Sequence, residues 1–146
     1  MIALIQRVSA AHVEVDGATV GAIDGGLVAL VAVQPHDGET QVTRLLERML
    51  GYRIFADEEG RMNRSLAETG GGLLLVSQFT LAADTKKGMR PGFSTAAAPA
   101  EAERWFGRLI DLAKTRHPRV EIGRFGAHMK VHLVNDGPVT FWLEAH

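Results

Sequence analysis

Short apolar runs bounded by turn residues predict most of the strands in this chain. Residues 2–8 and 11–15 are apolar or alternate with polar residues, and the Asp16-Gly17 pair that follows is typical of a hairpin. Residues 27–33 and 73–76 are nearly continuous apolar runs, which indicate strands buried on both faces. Further strands are predicted at residues 53–55, 119–122, 129–134 and 139–143.

Two longer segments have the apolar spacing of amphipathic helices. Between residues 39 and 52, apolar side chains recur at intervals of three and four, and charged residues occupy the other face. Residues 100–116 repeat this pattern after Pro99, a residue favoured in the first helical turn. The order of elements predicts an α+β fold in a single domain over residues 1–146, with mixed β-sheets and two helices packed on one side.

The predicted elements leave two longer connections. Residues 61–72 indicate an irregular loop. Residues 82–99 are rich in Gly, Ala, Thr and Pro and predict a long loop, and such loops in compact domains are usually functional.

Composition narrows the function classes. The chain has 146 residues, 46% of them hydrophobic, which is typical of a single domain with one hydrophobic core. It has no cysteine, so disulfides, thiolate catalysis and cysteine-ligated zinc are excluded. The net charge of −1 is not that of a protein that coats nucleic acid. We expect a cytoplasmic protein without a membrane span, because no 18 apolar residues run together.

The predicted strand at residues 73–76 turns polar at its end, where Ser77, Gln78 and Thr80 surround Phe79. A strand end is a rigid place for a site, and backbone N–H groups that leave the ladder can point at a ligand. On spacing alone, an edge strand with its hydroxyl groups in water is an equally good interpretation. No histidine or carboxylate adjoins these residues, so a nucleophile on the protein is poorly supported.

Gly137 and Pro138 stand between two short apolar runs near the C-terminal end. Glycine tolerates unusual backbone angles, and a peptide bond before proline can be cis. An ordinary hairpin turn explains this pair as well.

The six histidines give no clear metal motif. His128 and His132 are four residues apart, but they lack the acid of a zinc-protease motif, and in a strand they share a solvated face. The others, at turn-like or terminal places, are His12, His36, His117 and His146. We therefore predict no metal site and no cofactor.

The two motifs together resemble the D-aminoacyl-tRNA deacylases, which hydrolyse the ester between a D-amino acid and its tRNA. The family's Ser-Gln-Phe-Thr strand end stands at residues 77–80, and its Asn-x-Gly-Pro-Val-Thr segment stands at residues 135–140. Further similarity covers nearly the whole chain. The resemblance implies a three-layer β/β/α fold.

The resemblance also implies a site and an assembly. Ser77, Gln78, Phe79 and Thr80 would form the catalytic pocket and bind the oxyanion, while the 2′-hydroxyl of the tRNA assists the chemistry. In the family, a cis Gly-Pro pair, here Gly137 and Pro138, enters the pocket of the partner in a homodimer and excludes L side chains. Glycyl-tRNA(Ala) would also be cleared. The weaker candidates for lining or supporting the pocket are Arg7, Phe125 and Met129.

The partner implied by this resemblance is the acceptor end of D-aminoacyl-tRNA. Three cations in the long loop, Lys86, Lys87 and Arg90, are the candidates for contact with the tRNA, although most such runs are merely solvated loops. Two other functions fit parts of the pattern. A non-catalytic RNA-binding module lacks aromatic stacking platforms here, and a small-ester hydrolase lacks a nucleophile.

Overall fold

A mixed β-sheet lies at the centre of the fold, which the computed structural model describes over all 146 residues. Strand β1 (Ile2–Val15) is antiparallel to β3 (Gly26–Ala32), and β3 is parallel to β6 (Gly72–Ser77). On its other side β6 is parallel to β7 (Val120–Ile122). β3 and β6 are almost entirely buried, as their apolar runs predict.

Strand β1 takes part in two layers because its halves have different neighbours. Residues 2–8 pair with β3, whereas residues 11–15 pair with β2 (Ala18–Ile23). Along its other edge, β1 is antiparallel to β8 (Lys130–Glu144). β2 and the beginning of β8 therefore cover one face of β3 and β6. Seven buried residues fill the space between these β-layers: Val8, Ala11, Val13, Val15, Val28, Leu74 and Val76.

The helices cover the opposite face of β3 and β6. Both α1 (Glu39–Gly51) and α3 (Pro99–Arg116) bury their apolar faces there, in a core of 23 buried residues. The α+β class and the β/β/α layering agree with the prediction. No helix combines the length and the apolar character needed to cross a bilayer.

The segment predicted as an irregular loop contains regular structure. Within residues 61–72 lie β5 (Met62–Arg64) and α2 (Leu66–Thr69). β5 pairs with β4 (Phe55–Ala56), which overlaps the strand predicted at residues 53–55. The two predicted helices are present as α1 and α3, and the sequence missed α2, a helix of four residues. Helix α2 begins at a capping box, in which Ser65 Oγ accepts from the Glu68 N–H and the Glu68 carboxylate accepts from the Ser65 N–H.

The two predicted C-terminal strands are one strand, β8, and the two predicted N-terminal strands are likewise one, β1. Gln6 pairs with Thr140 and Val8 pairs with Asn135, so β8 advances five residues while β1 advances two. The extra residues form a bulge that carries Gly137 and Pro138 out of the ladder. The chain does not reverse there, which rules out the hairpin interpretation.

Candidate active site

The polar strand end lies where β6 leaves the sheet. Ser77 is the last residue of β6 and pairs with Val31 of β3. The Gln78 N–H donates to the Val31 carbonyl at 2.7 Å, and residues Phe79–Ala82 then form one turn of 3-10 helix. The first N–H groups of such a turn have no partner within it, because its hydrogen bonds run from residue i+3 back to residue i. The N–H groups of Phe79 and Thr80 are accordingly left without a backbone partner at the strand end.

A mostly apolar pocket of about 260 Å³ opens beside this strand end, between β3, β6 and the beginning of α3. None of its eleven lining residues carries an ionisable side chain. The only polar side chains are those of Ser77 and Gln78. The lining comprises Val31, Val33, Ser77, Gln78, Phe79, Ala97, Pro99, Ala102, Phe106, Phe125 and Gly126.

Three of the four predicted strand-end residues line the pocket, and Thr80 lies just outside it. The Gln78 amide donates from Nε2 to the Thr80 hydroxyl oxygen, which connects Thr80 to the pocket wall. Phe79 is 56% exposed and lies at the rim, with its ring centroid 5.1 Å from that of Phe93. The exposed aromatic rim and the apolar interior suit a ligand with one polar and one apolar end.

Phe125 and Met129, two of the weaker candidates for lining or supporting the pocket, have different positions relative to it. Phe125 lines the pocket, with its ring centroid 6.3 Å from that of Phe106. Met129 does not line the pocket, because it packs against the small core between the β-layers. Its sulfur accepts from the Arg124 N–H at 3.3 Å and so holds the loop that carries Phe125. The sequence did not single out Phe106 as a pocket residue, since its helical spacing indicates only burial.

The Gly137-Pro138 peptide bond is cis, as the resemblance implies, and both residues are exposed. The side chains of Arg7 and Asn135 fix the backbone on either side of Gly137 and Pro138. Arg7 donates to the carbonyl oxygens of Asp136 and Ile54 at 2.8 and 2.7 Å. Asn135 donates to the carbonyl oxygens of Arg7 and Val139, and its own side-chain oxygen accepts from the Val139 N–H. The loop is thus held firmly while its tip stays open to solvent.

The Gly-Pro loop and the pocket are separate within one chain. The loop leaves β8 opposite the stretch of β1 between Gln6 and Val8. Ser77, by contrast, is level with Val31, whose partner in β1 is Ala3, and it lies two strands away from β1. None of the loop residues lines the pocket.

The cationic loop lies next to the aromatic rim. Backbone hydrogen bonds between Asp84 and Gly92, at 2.7 and 2.9 Å, close the base of this loop. Lys86, Lys87 and Arg90 are all exposed between these two residues. Phe93 follows the loop directly and packs on Phe79, so the base of the cationic loop lies next to the pocket rim.

The fold and the site define an α+β protein with an apolar strand-end pocket and a projecting Gly-Pro loop. The sequence profile of the D-Tyr-tRNA(Tyr) deacylase family matches residues 4–144. The chain belongs to this family. It is accordingly a hydrolase that acts on D-aminoacyl-tRNA, which confirms the activity predicted from the sequence.

Named relatives cover nearly the whole chain. A D-aminoacyl-tRNA deacylase of Methylococcus capsulatus is 67% identical over 143 residues, covering 98% of this chain and 94% of the relative. One of Ectopseudomonas mendocina is 64% identical over 141 residues, with 97% of each chain covered.

Two solved structures share the fold. A c-Myc DNA unwinding element binding protein superposes with a TM-score of 0.95 at 36% identity, covering 100% of this chain and 99% of the other. A probable eukaryotic D-amino acid tRNA deacylase superposes with a TM-score of 0.77 at 18% identity, with 98% of each chain covered.

Proposed function

We propose that this chain hydrolyses the ester of D-aminoacyl-tRNA and spares the L-aminoacyl form, acting in the cytoplasm as a homodimer of one-domain subunits. The observation that carries the proposal is a strand-end pocket with backbone donors and no ionisable side chain. Such a pocket can bind an ester and stabilise an oxyanion, but it supplies neither an acid nor a base. The group that assists proton transfer therefore has to come from the substrate or from water.

The ribose 2′-hydroxyl is that group. It adjoins the ester that joins the amino acid to the 3′ oxygen, and holding it near the carbonyl carbon lets it orient the attacking water. Water adds to the carbonyl carbon, and the strand-end donors hold the resulting oxyanion. The proton that the water loses is passed to the 3′ oxygen, which leaves as a hydroxyl group when the ester bond breaks. Positioning of this kind lowers the barrier without a dedicated catalytic side chain.

Ser77, Gln78, Phe79 and Thr80 have distinct parts in this mechanism. The N–H groups at the start of the 3-10 turn donate to the oxyanion. Gln78 orients the Thr80 hydroxyl by the hydrogen bond between them. Phe79 closes the rim over the substrate.

Gly137 and Pro138 supply the stereochemical filter from the partner subunit. Their backbone is exposed, firmly held, and remote from the pocket of its own chain, as a donated loop requires. Their carbonyl oxygens accept from the amino group of the substrate and fill the space that an L side chain needs. Discrimination by a clash admits many D side chains, and it admits glycine, so mischarged glycyl-tRNA(Ala) is also a substrate.

The acceptor end of the tRNA contacts Lys86, Lys87 and Arg90. The base of their loop lies next to the pocket rim, because Phe93 packs on Phe79, so exposed cations on this loop can reach the phosphates nearest the terminal adenosine. A local patch of this kind compensates for the net charge of −1 of the whole chain.

The deciding experiment compares three substrates at equal enzyme concentration: D-tyrosyl-tRNA, L-tyrosyl-tRNA and glycyl-tRNA(Ala). We expect rapid release of D-tyrosine and glycine and no release of L-tyrosine above the spontaneous rate. Equal rates on the two tyrosyl substrates would refute the filter, and no hydrolysis of any of them would refute the activity. Sedimentation of the same preparation tests the dimer, because a fully active monomer contradicts donation of the loop.

A further inference from the structure

A second cluster of functional side chains lies away from the pocket, on the outer face of β1 and β8. The Nε2 atom of His12 is 3.2 Å from one carboxylate oxygen of Glu14, and the Nε2 atom of His132 is 3.5 Å from the other. The ligand-capable atoms of these three residues all lie within 4.8 Å of one another. The sequence did not predict the cluster, because His12 has the appearance of a turn residue until its strand partner is known.

The register of the two strands brings the cluster together. His12 and His132 are directly opposite each other in the antiparallel pair, and Glu14 lies two residues further along β1, on the same face. The imidazole rings are stacked, with centroids 4.2 Å apart and planes inclined by 8°. Both rings therefore point their Nε2 atoms to the same side, toward one carboxylate.

We propose that His12, Glu14 and His132 form a binding site for a single Zn²⁺ ion. Two imidazole nitrogens and one carboxylate oxygen form a donor set typical of zinc, and three protein ligands leave the fourth tetrahedral position to water. Zn–N and Zn–O distances of about 2.0–2.2 Å place neighbouring tetrahedral ligands about 3.3 Å apart. To bind one ion, the two parallel rings must tilt until their Nε2 lone pairs converge, and the partial exposure of all three side chains leaves room for this movement.

The surroundings favour a dication of this type. His12 and His132 line a shallow open groove that also contains the side chains of Asp24 and Thr19, so an ion can reach these two ligands from solvent. Lys130 stands opposite Glu14 in the register, but Glu14 forms its ion pairs only with His12 and His132. Nitrogen ligands select Zn²⁺, Ni²⁺ or Cu²⁺ over Mg²⁺ and Ca²⁺, which prefer oxygen.

The bound ion joins β1 to β8 and leaves the pocket untouched. None of the three ligands lines the pocket, so the ion does not take part in ester hydrolysis. His132 is three residues before Asn135, the side chain that anchors the Gly-Pro loop to β1. Binding at this place stabilises the strand pair that carries the loop.

The test is a titration of chelator-treated protein with Zn²⁺ alone. Calorimetry measures the affinity and the number of ions bound, and thermal unfolding measures the change in melting temperature. We expect one Zn²⁺ per chain and a higher melting temperature. His12→Ser and His132→Ser should each weaken binding by at least about tenfold, because even the loss of a residue that only supports a ligand has an effect of that size. The matched control is His128→Ser, which removes an exposed histidine that belongs to no cluster and should leave the affinity unchanged.

Co²⁺ gives a spectroscopic reading that does not depend on activity. A tetrahedral site with two histidines should give visible d–d absorption that saturates at one Co²⁺ per chain and is lost in His132→Ser and Glu14→Gln. Circular dichroism in chelator checks that each variant is folded, as expected for partly exposed positions. Equal Zn²⁺ affinity in wild type and His132→Ser, or loss of binding in His128→Ser, overturns the proposal and leaves the cluster a hydrogen-bonded surface group.

Discussion

The guanidinium of Arg7 donates from Nε to the backbone carbonyl oxygen of Asp136 at 2.8 Å, one residue before Gly137. The same side chain donates from Nη1 to the Ile54 carbonyl oxygen at 2.7 Å and is mostly buried. Arg7 thus holds the Gly-Pro loop against the segment that follows α1. The proposed stereochemical filter depends on the position of this loop, so it also depends on Arg7, which does not line the pocket of its own chain.

We expect Arg7→Leu to lower the free energy of unfolding by about 2 kcal/mol, because it removes two charge-assisted hydrogen bonds to carbonyl groups. We also expect the ratio of D- to L-tyrosyl-tRNA hydrolysis to fall, since a displaced loop no longer fills the space of an L side chain. Denaturant titration measures the first effect and paired deacylation assays the second. Arg61→Leu is the control, because its side chain is 75% exposed. An unchanged D/L ratio in folded Arg7→Leu would show that the loop needs no support from Arg7.

Gly26→Ala tests the close packing of β3 on β6. A Cβ atom at Gly26 would lie 2.0 Å from the Gly72 carbonyl oxygen and 2.6 Å from its nitrogen, and backbone atoms cannot move aside cheaply. We expect a loss of about 3 kcal/mol in unfolding free energy, at the upper end of the range for overpacked sites. Gly107→Ala on α3 is the opposite case, with no atom within 4 Å of the new Cβ, and should stabilise by about 0.5–1 kcal/mol. Thermal unfolding of both variants separates steric from conformational effects.

The elements that the sequence predicted well are those whose signals are local. The helical spacing predicted α1 and α3 to within one residue at each end, and the buried aliphatic run predicted β6 and its polar end. The short helix α2 also had a local signal that was missed, the Ser65 and Glu68 capping box.

Other features could not be predicted because they depend on strand partners. Gly137 and Pro138 have the composition of a hairpin turn, and only their pairing with β1 on both sides makes them a bulge. The His12 and His132 pair likewise exists only in one register. The contribution of Phe106 to the pocket arises from packing between α3 and the sheet, for which helical periodicity carries no information.

The ion pair between Arg108 and Glu39 predicts a pH-dependent contribution to stability. Arg108 Nη2 and Nε contact the two carboxylate oxygens at 2.7 and 2.9 Å, joining α3 to α1. These hydrogen bonds hold the pKa of Glu39 below its usual value of 4.5. Because the folded-state pKa is the lower one, the contribution is present above the usual value and is lost as the pH falls through the folded-state pKa.

We therefore expect Arg108→Gln to melt at a lower temperature than the wild type at neutral pH. The difference should shrink as the pH falls through the folded-state pKa of Glu39, because below that pKa the carboxylate is protonated in both states. Arg44→Gln is the control, because its 3.8 Å contact with Glu47 is exposed on both sides, and it should change little at any pH. A difference in melting temperature that persists in acid would assign the effect of Arg108 to packing instead of charge.

Lys86, Lys87 and Arg90 should act on tRNA affinity and not on the chemical step. Replacing each by Gln should raise KM and leave kcat unchanged, because a phosphate contact binds substrate and transition state equally. Each substitution should also reduce the slope of log affinity against log salt by about 0.7–0.9. Lys114→Gln serves as the control, because it removes an exposed cation near the end of α3 that does not belong to the cationic loop. A change in kcat alone would show that the loop positions the ester directly.

The last prediction concerns the group that performs the chemistry. If the 2′-hydroxyl of the terminal adenosine orients the water, Ser77→Ala and Thr80→Ala should each retain measurable activity, since losing one hydrogen bond to an oxyanion lowers turnover by about a hundred- to a thousandfold. A substrate without the 2′-hydroxyl, with the amino acid still on the 3′ oxygen, should lose much more turnover than affinity. Single-turnover rates at saturating enzyme are the proper comparison, because weaker binding alone can imitate a catalytic defect. Full activity on the 2′-deoxy substrate together with complete loss in Thr80→Ala would instead identify Thr80 as the nucleophile, with Gln78 orienting its hydroxyl through the hydrogen bond they share.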